Sequence, residues 1–132
     1  MKTFNIILAG VLFSVSLLAD ATASDATQTV TGGGVTVKVT YLNPNGGDGA
    51  RFQVALDTHS VNLDSYDFKT IAVLRDDSGN TYLPAAVENK GSGHHRQATV
   101  VFGTIASGTK YVELMIKDLA ATKEKTFRWD LD

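Results

Sequence analysis

The chain has 132 residues, no cysteine and a formal net charge of −2 at pH 7. Its basic residues are scattered rather than gathered in a stripe, so the composition supports neither a nucleic-acid partner nor binding to an anionic membrane. A chain of this length forms one domain. Without disulfides, the hydrophobic core must stabilise that domain by itself, apart from any bound metal.

The first residues have the features of a secretory signal peptide. Lys2 supplies a short positive region, residues 4–19 form an uncharged apolar run, and Ala-Thr-Ala at 21–23 fits the pattern that signal peptidases cleave. The apolar run is shorter than a membrane span, which needs about 20 residues. We therefore predict a signal peptide at 1–23, with an uncleaved anchor as the alternative. The mature protein is then expected to be periplasmic or extracellular, without a membrane span.

The remaining sequence alternates between apolar and polar residues with a period of two, which is typical of β-strands. We expect a flexible segment at 24–33 and a β-sandwich domain at 34–132. Strands are predicted at residues 35–41, 51–59, 68–75, 81–87, 98–102, 110–119 and 126–131. Pro84 interrupts the fourth of these and indicates an edge strand or a bulge. The pattern predicts an all-β fold, an antiparallel immunoglobulin-like β-sandwich of about seven strands.

The histidines of the chain fall in or beside two of the predicted connections. His59 follows the second strand, and His94 and His95 lie in the connection after the fourth. Alternate connections of an antiparallel sandwich lie at the same end. Residues 59–67, 88–97 and 119–124 are therefore predicted to share one pole, and the three histidines with them.

Imidazoles and carboxylates at one pole suit Zn(II), Cu(II) or Ni(II), whereas the absence of cysteine argues against a soft Cu(I) site. Adjacent side chains in an extended segment point to opposite faces, so only one of His94 and His95 is expected to join His59 in binding. Carboxylates near the pole would complete the site. The candidate ligands are His59, His94, His95, Asp57 and Asp64, with Asp67 and Glu88 as further carboxylates.

Two other functions compete with a metal site. The same loops could dock a protein or another envelope component without any metal, and histidines flanked by glycine and serine are often simply exposed. An enzyme is not expected, because the sequence contains no nucleophile elbow and no paired-carboxylate motif. The segment 43–50 offers a single carboxylate, Asp48, where a calcium loop needs several oxygen ligands.

The segments "THSVNLDSYD" at 58–67 and "GSGHHRQATVVF" at 91–102, with the closing "FRWDL" at 127–131, carry a resemblance. They resemble a family of small exported prokaryotic β-sandwich domains with Thr-His-Ser-Val-x-Leu and Gly-His-His-Arg or Gly-His-His-Val segments. The resemblance spans most of residues 24–132 and implies a shared fold and a shared histidine pole, but no particular reaction. The chain departs from the family where "AAVENK" replaces a tryptophan-containing segment and Ser92-Gly93 replaces two glycines.

Overall fold

The structure is a computed structural model that describes residues 26–45 and 48–131. The predicted signal peptide at 1–23 lies outside these residues. The described elements are β1 (Thr27–Gly32), β2 (Val35–Tyr41), β3 (Arg51–Thr58), α1 (Phe68–Ile71), β4 (Ala72–Asp76), β5 (Thr81–Tyr82), β6 (Ala86–Ser92), β7 (His95–Val101), β8 (Tyr111–Leu119) and β9 (Thr122–Asp130). In this part of the chain, no helix has the length and apolar character that crossing a membrane requires.

The strands form two antiparallel sheets. One has the order β1-β2-β3-β7-β6 and the other has the order β5-β4-β8-β9. The orders β2-β3-β7-β6 and β5-β4-β8-β9 correspond to strands A-B-E-D and C′-C-F-G of an immunoglobulin-like sandwich. The predicted fold class is therefore confirmed, with β1 as an additional strand at one edge.

The core lies between the two sheets, as the alternation of the sequence predicts. On β3, for example, Phe52, Val54 and Leu56 are fully buried while the residues between them face outward. Trp129 of β9 packs edge-on against Tyr41 of β2, with ring centroids 5.7 Å apart. Contacts of this kind join the sheets and hold the strand ends in fixed positions.

The predicted number of strands was too low for two reasons. Residues 27–32, placed before the domain in the sequence analysis, form β1 and pair with β2 along their whole length. Residues 81–87 are also not one strand, because β5 belongs to the second sheet and β6 to the first. Pro84 lies between them, where a residue without a backbone N–H can be accommodated outside both sheets.

Two further boundaries differ from the prediction. The first four residues of the predicted strand at 68–75 form the helix α1. Asp67 caps this helix by accepting a hydrogen bond from the N–H of Lys69 at 2.9 Å. Residues 88–97 are mostly not a loop, since β6 and β7 continue through them to a turn at Gly93 and His94. The strand β6 escaped prediction because it is almost wholly exposed and lacks apolar alternation.

Candidate functional site at the histidine pole

The end of β3 and the turn between β6 and β7 lie side by side. Asp57 is paired with His95 in the sheet, and the N–H of Thr58 donates to the carbonyl of His94 at 3.0 Å. His59 follows Thr58 directly. The backbones of all three histidines therefore lie at the same end of the five-stranded sheet, which we call the histidine pole.

His95 and Asp57 form the closest polar side-chain pair of the histidine pole. His95 Nδ1 lies 2.6 Å from Asp57 Oδ1, and the two side chains are 70% and 54% exposed. A carboxylate only accepts hydrogen bonds, so the ring nitrogen Nδ1 must carry the proton. When the ring is neutral, Nε2 is then unprotonated and can accept a hydrogen bond. The arrangement favours the Nδ1-protonated tautomer of an accessible imidazole.

Asp64 contacts the turn that carries His94. Its Oδ1 accepts a hydrogen bond from the N–H of Gly93 at 2.7 Å, while the N–H of Leu63 donates to the carbonyl of Gly93 at 3.0 Å. These two bonds fasten the loop after β3 to the turn that carries His94. Asp64 therefore holds the turn in place through Oδ1.

The predicted ligands are not arranged as a ready-made metal centre. Within residues 26–45 and 48–131, no three His, Asp or Glu side chains are placed so that they could share a metal ion. His59 and His94 are both exposed. The backbones of the three histidines share one end of the sheet, and among the candidate ligands that the structure describes the close side-chain pair is that of His95 with Asp57.

Arg96 is the important residue that the sequence analysis missed. It is only 8% exposed, and its guanidinium donates to the carbonyls of Leu63 at 2.7 Å and Tyr66 at 2.5 Å and to Asn89 Oδ1 at 2.8 Å. It also lies over the Phe68 ring, 5.0 Å from the centroid. Because Arg96 shares the inward phase of Ala98, Val100 and Phe102, the alternation alone could have identified it as buried.

Two further contacts fix the neighbouring turns of the histidine pole. Thr58 Oγ1 donates to the carbonyl of Gly34 at 2.7 Å, and Lys125 Nζ donates to the carbonyl of Gly32 at 2.9 Å. Burial lowers the pKa of Lys125 below its ordinary value, because the charged ammonium loses hydration there. The turn between β1 and β2 is thus tied to both sheets.

The His–Asp pair borders a depression on the outer face of the five-stranded sheet. It has a volume of about 280 Å³ and is lined by Asp57, Lys90, Gly91, His95, Arg96 and Gln97. A second depression of about 200 Å³ shares Lys90 and Gln97 with it and extends along β6 and β7. Together they form a polar surface with charges of both signs beside the accessible imidazole.

Comparisons of the chain with protein-family models, with curated proteins and with solved structures each gave no match.

Proposed function

We propose that this protein is an exported binding module that recognises its partner with the histidine pole and the adjoining depression. The main observation that supports this proposal is the hydrogen-bonded pair of His95 and Asp57. An exposed pair of this kind contributes about 0–1 kcal/mol to stability, so folding gives little reason to hold the imidazole in one tautomer. Recognition gives a reason, because a fixed Nε2 acceptor presents the same hydrogen-bonding pattern to every partner molecule.

The support beneath the pair fits this function. Arg96 lies next to His95 in sequence and is bonded to the loop residues Leu63 and Tyr66. Binding therefore requires little ordering of the backbone, which reduces the entropic cost of association. The partner we propose is a protein or another envelope component that offers an N–H or O–H to His95 Nε2. Export rests on the features of residues 1–23.

Site-specific crosslinking in cells that naturally make the protein tests this proposal. A photo-crosslinking amino acid replaces Gln97, which is exposed and lines the depression. A matched chain carries it in place of Glu124, an exposed residue of β9 in the other sheet. We expect a discrete crosslinked product from position 97 that His95→Ala removes. The same product from position 124, or its persistence in His95→Ala, would contradict the proposal.

A divalent transition metal is the second candidate ligand, and one observation favours it. Histidines that bind metals usually donate their other ring N–H to a carboxylate or a carbonyl, as His95 does to Asp57. In this version Asp57 orients the ring, His95 Nε2 binds Zn(II), Cu(II) or Ni(II), and His59 or His94 supplies a second imidazole. Asp57 would then orient the ligand His95 without binding the metal itself.

A thermal titration with each metal separates the two candidates. A bound metal stabilises the folded state by about 2.7 kcal/mol at a hundredfold excess over Kd. His95→Ala should abolish the stabilisation, and Asp57→Ala should weaken the affinity about tenfold. Asp130→Ala, which removes an exposed carboxylate elsewhere, should change neither. The metal candidate fails if none of the three metals stabilises the protein, or if the stabilisation survives in a variant that lacks all three histidines.

A further inference from the structure

The edges of the two sheets are protected to different degrees. On one side of the sandwich, β1 lies against β9: Gln28 Nε2 donates to the carbonyl of Arg128 at 2.5 Å, and Lys125 Nζ donates to that of Gly32. On the other side lie β5, with two residues, and β6, with seven. Within the described residues β6 is the last strand of its sheet. It therefore presents unpaired backbone N–H and C=O groups to solvent.

The strand β6 carries one negative and one positive side chain, two residues apart on the same face. Glu88 and Lys90 are both exposed and project from the same face, since they pair with Thr99 and Gln97 of β7. Asn89 lies between them. Many proteins protect an edge strand with charges that repel a second copy. A strand with the pattern Glu-x-Lys can repel or attract a second copy of itself, depending on the register in which the two strands pair.

One antiparallel register of two β6 strands satisfies both charges. We propose that two copies of this chain associate through β6 about a two-fold axis at Asn89. Glu88 of each copy then lies directly opposite Lys90 of the other. The Cβ atoms of directly opposed residues are about 4.5–5.5 Å apart, which allows these two side chains to form a salt bridge. Shifting the pairing by two residues in either direction places Glu88 opposite Glu88 or Lys90 opposite Lys90. The charges therefore select the register.

The dimer joins the two five-stranded sheets into one continuous sheet. A two-fold interface uses the same surface on both copies and closes without further growth. The depression lined by Glu88, Asn89 and Lys90 would lie at the seam, and the two histidine poles would point in opposite directions. Two partner-binding surfaces would thus be displayed by one particle, a property that does not depend on which ligand the pole binds.

Charge reversal with rescue tests the proposal. The protein is produced from the full-length sequence in an exporting host, purified, and studied by sedimentation velocity at concentrations up to about 1 mM. We expect a monomer–dimer equilibrium that weakens as salt screens the charges. Glu88→Lys and Lys90→Glu, each placing like charges opposite each other, should weaken association roughly tenfold. A mixture of the two variants should associate as the wild type does, and so should the double variant with the charges exchanged.

Lys38→Glu is the matched control, since Lys38 is exposed on β2 of the same sheet but away from its edge. It should leave association unchanged, and thermal unfolding should show that every variant is folded. A monomer at all concentrations overturns the proposal. So does a dimer that the single reversals do not weaken, or one that the mixture fails to restore.

Discussion

Arg96 Nη2 donates to Asn89 Oδ1 at 2.8 Å, so a buried guanidinium connects the edge strand β6 to the loop after β3. The other amino group of Arg96 contacts the carbonyls of Leu63 and Tyr66. This one side chain therefore links three separate parts of the sequence. Its removal would leave three acceptor oxygens, those of Leu63, Tyr66 and Asn89, without this donor.

We expect Arg96→Met to lower the free energy of unfolding by about 3 kcal/mol, because buried acceptors that lose a charged donor each cost about 1–3 kcal/mol. Methionine preserves most of the apolar stem, so the loss reports mainly on the hydrogen bonds. Arg51→Met, at an exposed position of β3, should change stability by less than about 0.5 kcal/mol. Equilibrium unfolding in urea measures both values. Equal effects of the two variants would show that Arg96 does not hold the loop.

Two glycines beside the histidines allow a matched comparison. Gly91 and Gly93 both have positive φ, of 77° and 69°. A Cβ on Gly91 would lie 2.5 Å from the carbonyl oxygen of His95, whereas one on Gly93 would meet nothing within 4 Å. Gly93→Ala should therefore cost only the conformational strain, about 1–3 kcal/mol. Gly91→Ala should cost more, because the backbone of β7 must also move.

Urea unfolding of the two glycine variants gives the comparison directly. Amide chemical shifts of the residues around His95 should also change more in Gly91→Ala than in Gly93→Ala. If Gly93→Ala proved the more destabilising variant, the close approach of Gly91 to His95 would be wrong.

Lys125 makes stability depend on pH in a defined direction. Its pKa is 10.5 in the unfolded chain and lower in the folded protein, owing to burial. Between these two values the unfolded chain binds more protons, so the free energy of unfolding rises as the pH increases toward 10.5. Lys125→Met should remove this rise, whereas Lys38→Met, at an exposed position, should keep it.

Urea unfolding at several pH values approaching 10.5 measures this slope as the difference between the wild type and Lys125→Met. Tyr41 and Tyr82, whose pKa values burial raises, are present in both proteins, so their contribution cancels in this difference. Identical slopes for the wild type and Lys125→Met would show that the ammonium of Lys125 is not desolvated in the folded state.

The sequence predicted those parts of the structure that hydrophobic alternation controls. The inward faces of β2, β3, β8 and β9 follow directly from it, because one face of each strand must be buried in the core. The strand β6 could not be found in this way, since neither of its faces is deeply buried. Its existence depends on pairing with β7, which is a property of the folded sheet.

The histidine pole was predictable for the same topological reason, whereas its internal geometry was not. The strands β3 and β6 both pair with β7 in an antiparallel direction, so the end of β3, which His59 follows, and the turn that carries His94 lie at the same end of the sheet. The pairing of Asp57 with His95 depends on the register between β3 and β7. The hydrogen bond from the N–H of Gly93 to Asp64 depends on the shape of the loop after β3. Neither leaves a distinctive pattern in the sequence.

Nitrogen-15 NMR of the histidine rings tests the central claim, that Asp57 fixes the tautomer of His95 and leaves Nε2 as a free acceptor. At a pH where the rings are neutral, we expect His95 to carry its proton on Nδ1, and Asp57→Ala to shift the population toward the Nε2-protonated form. The signals of His59 and His94 serve as internal references. A wild-type His95 protonated on Nε2, or a tautomer unaffected by Asp57→Ala, would contradict the account.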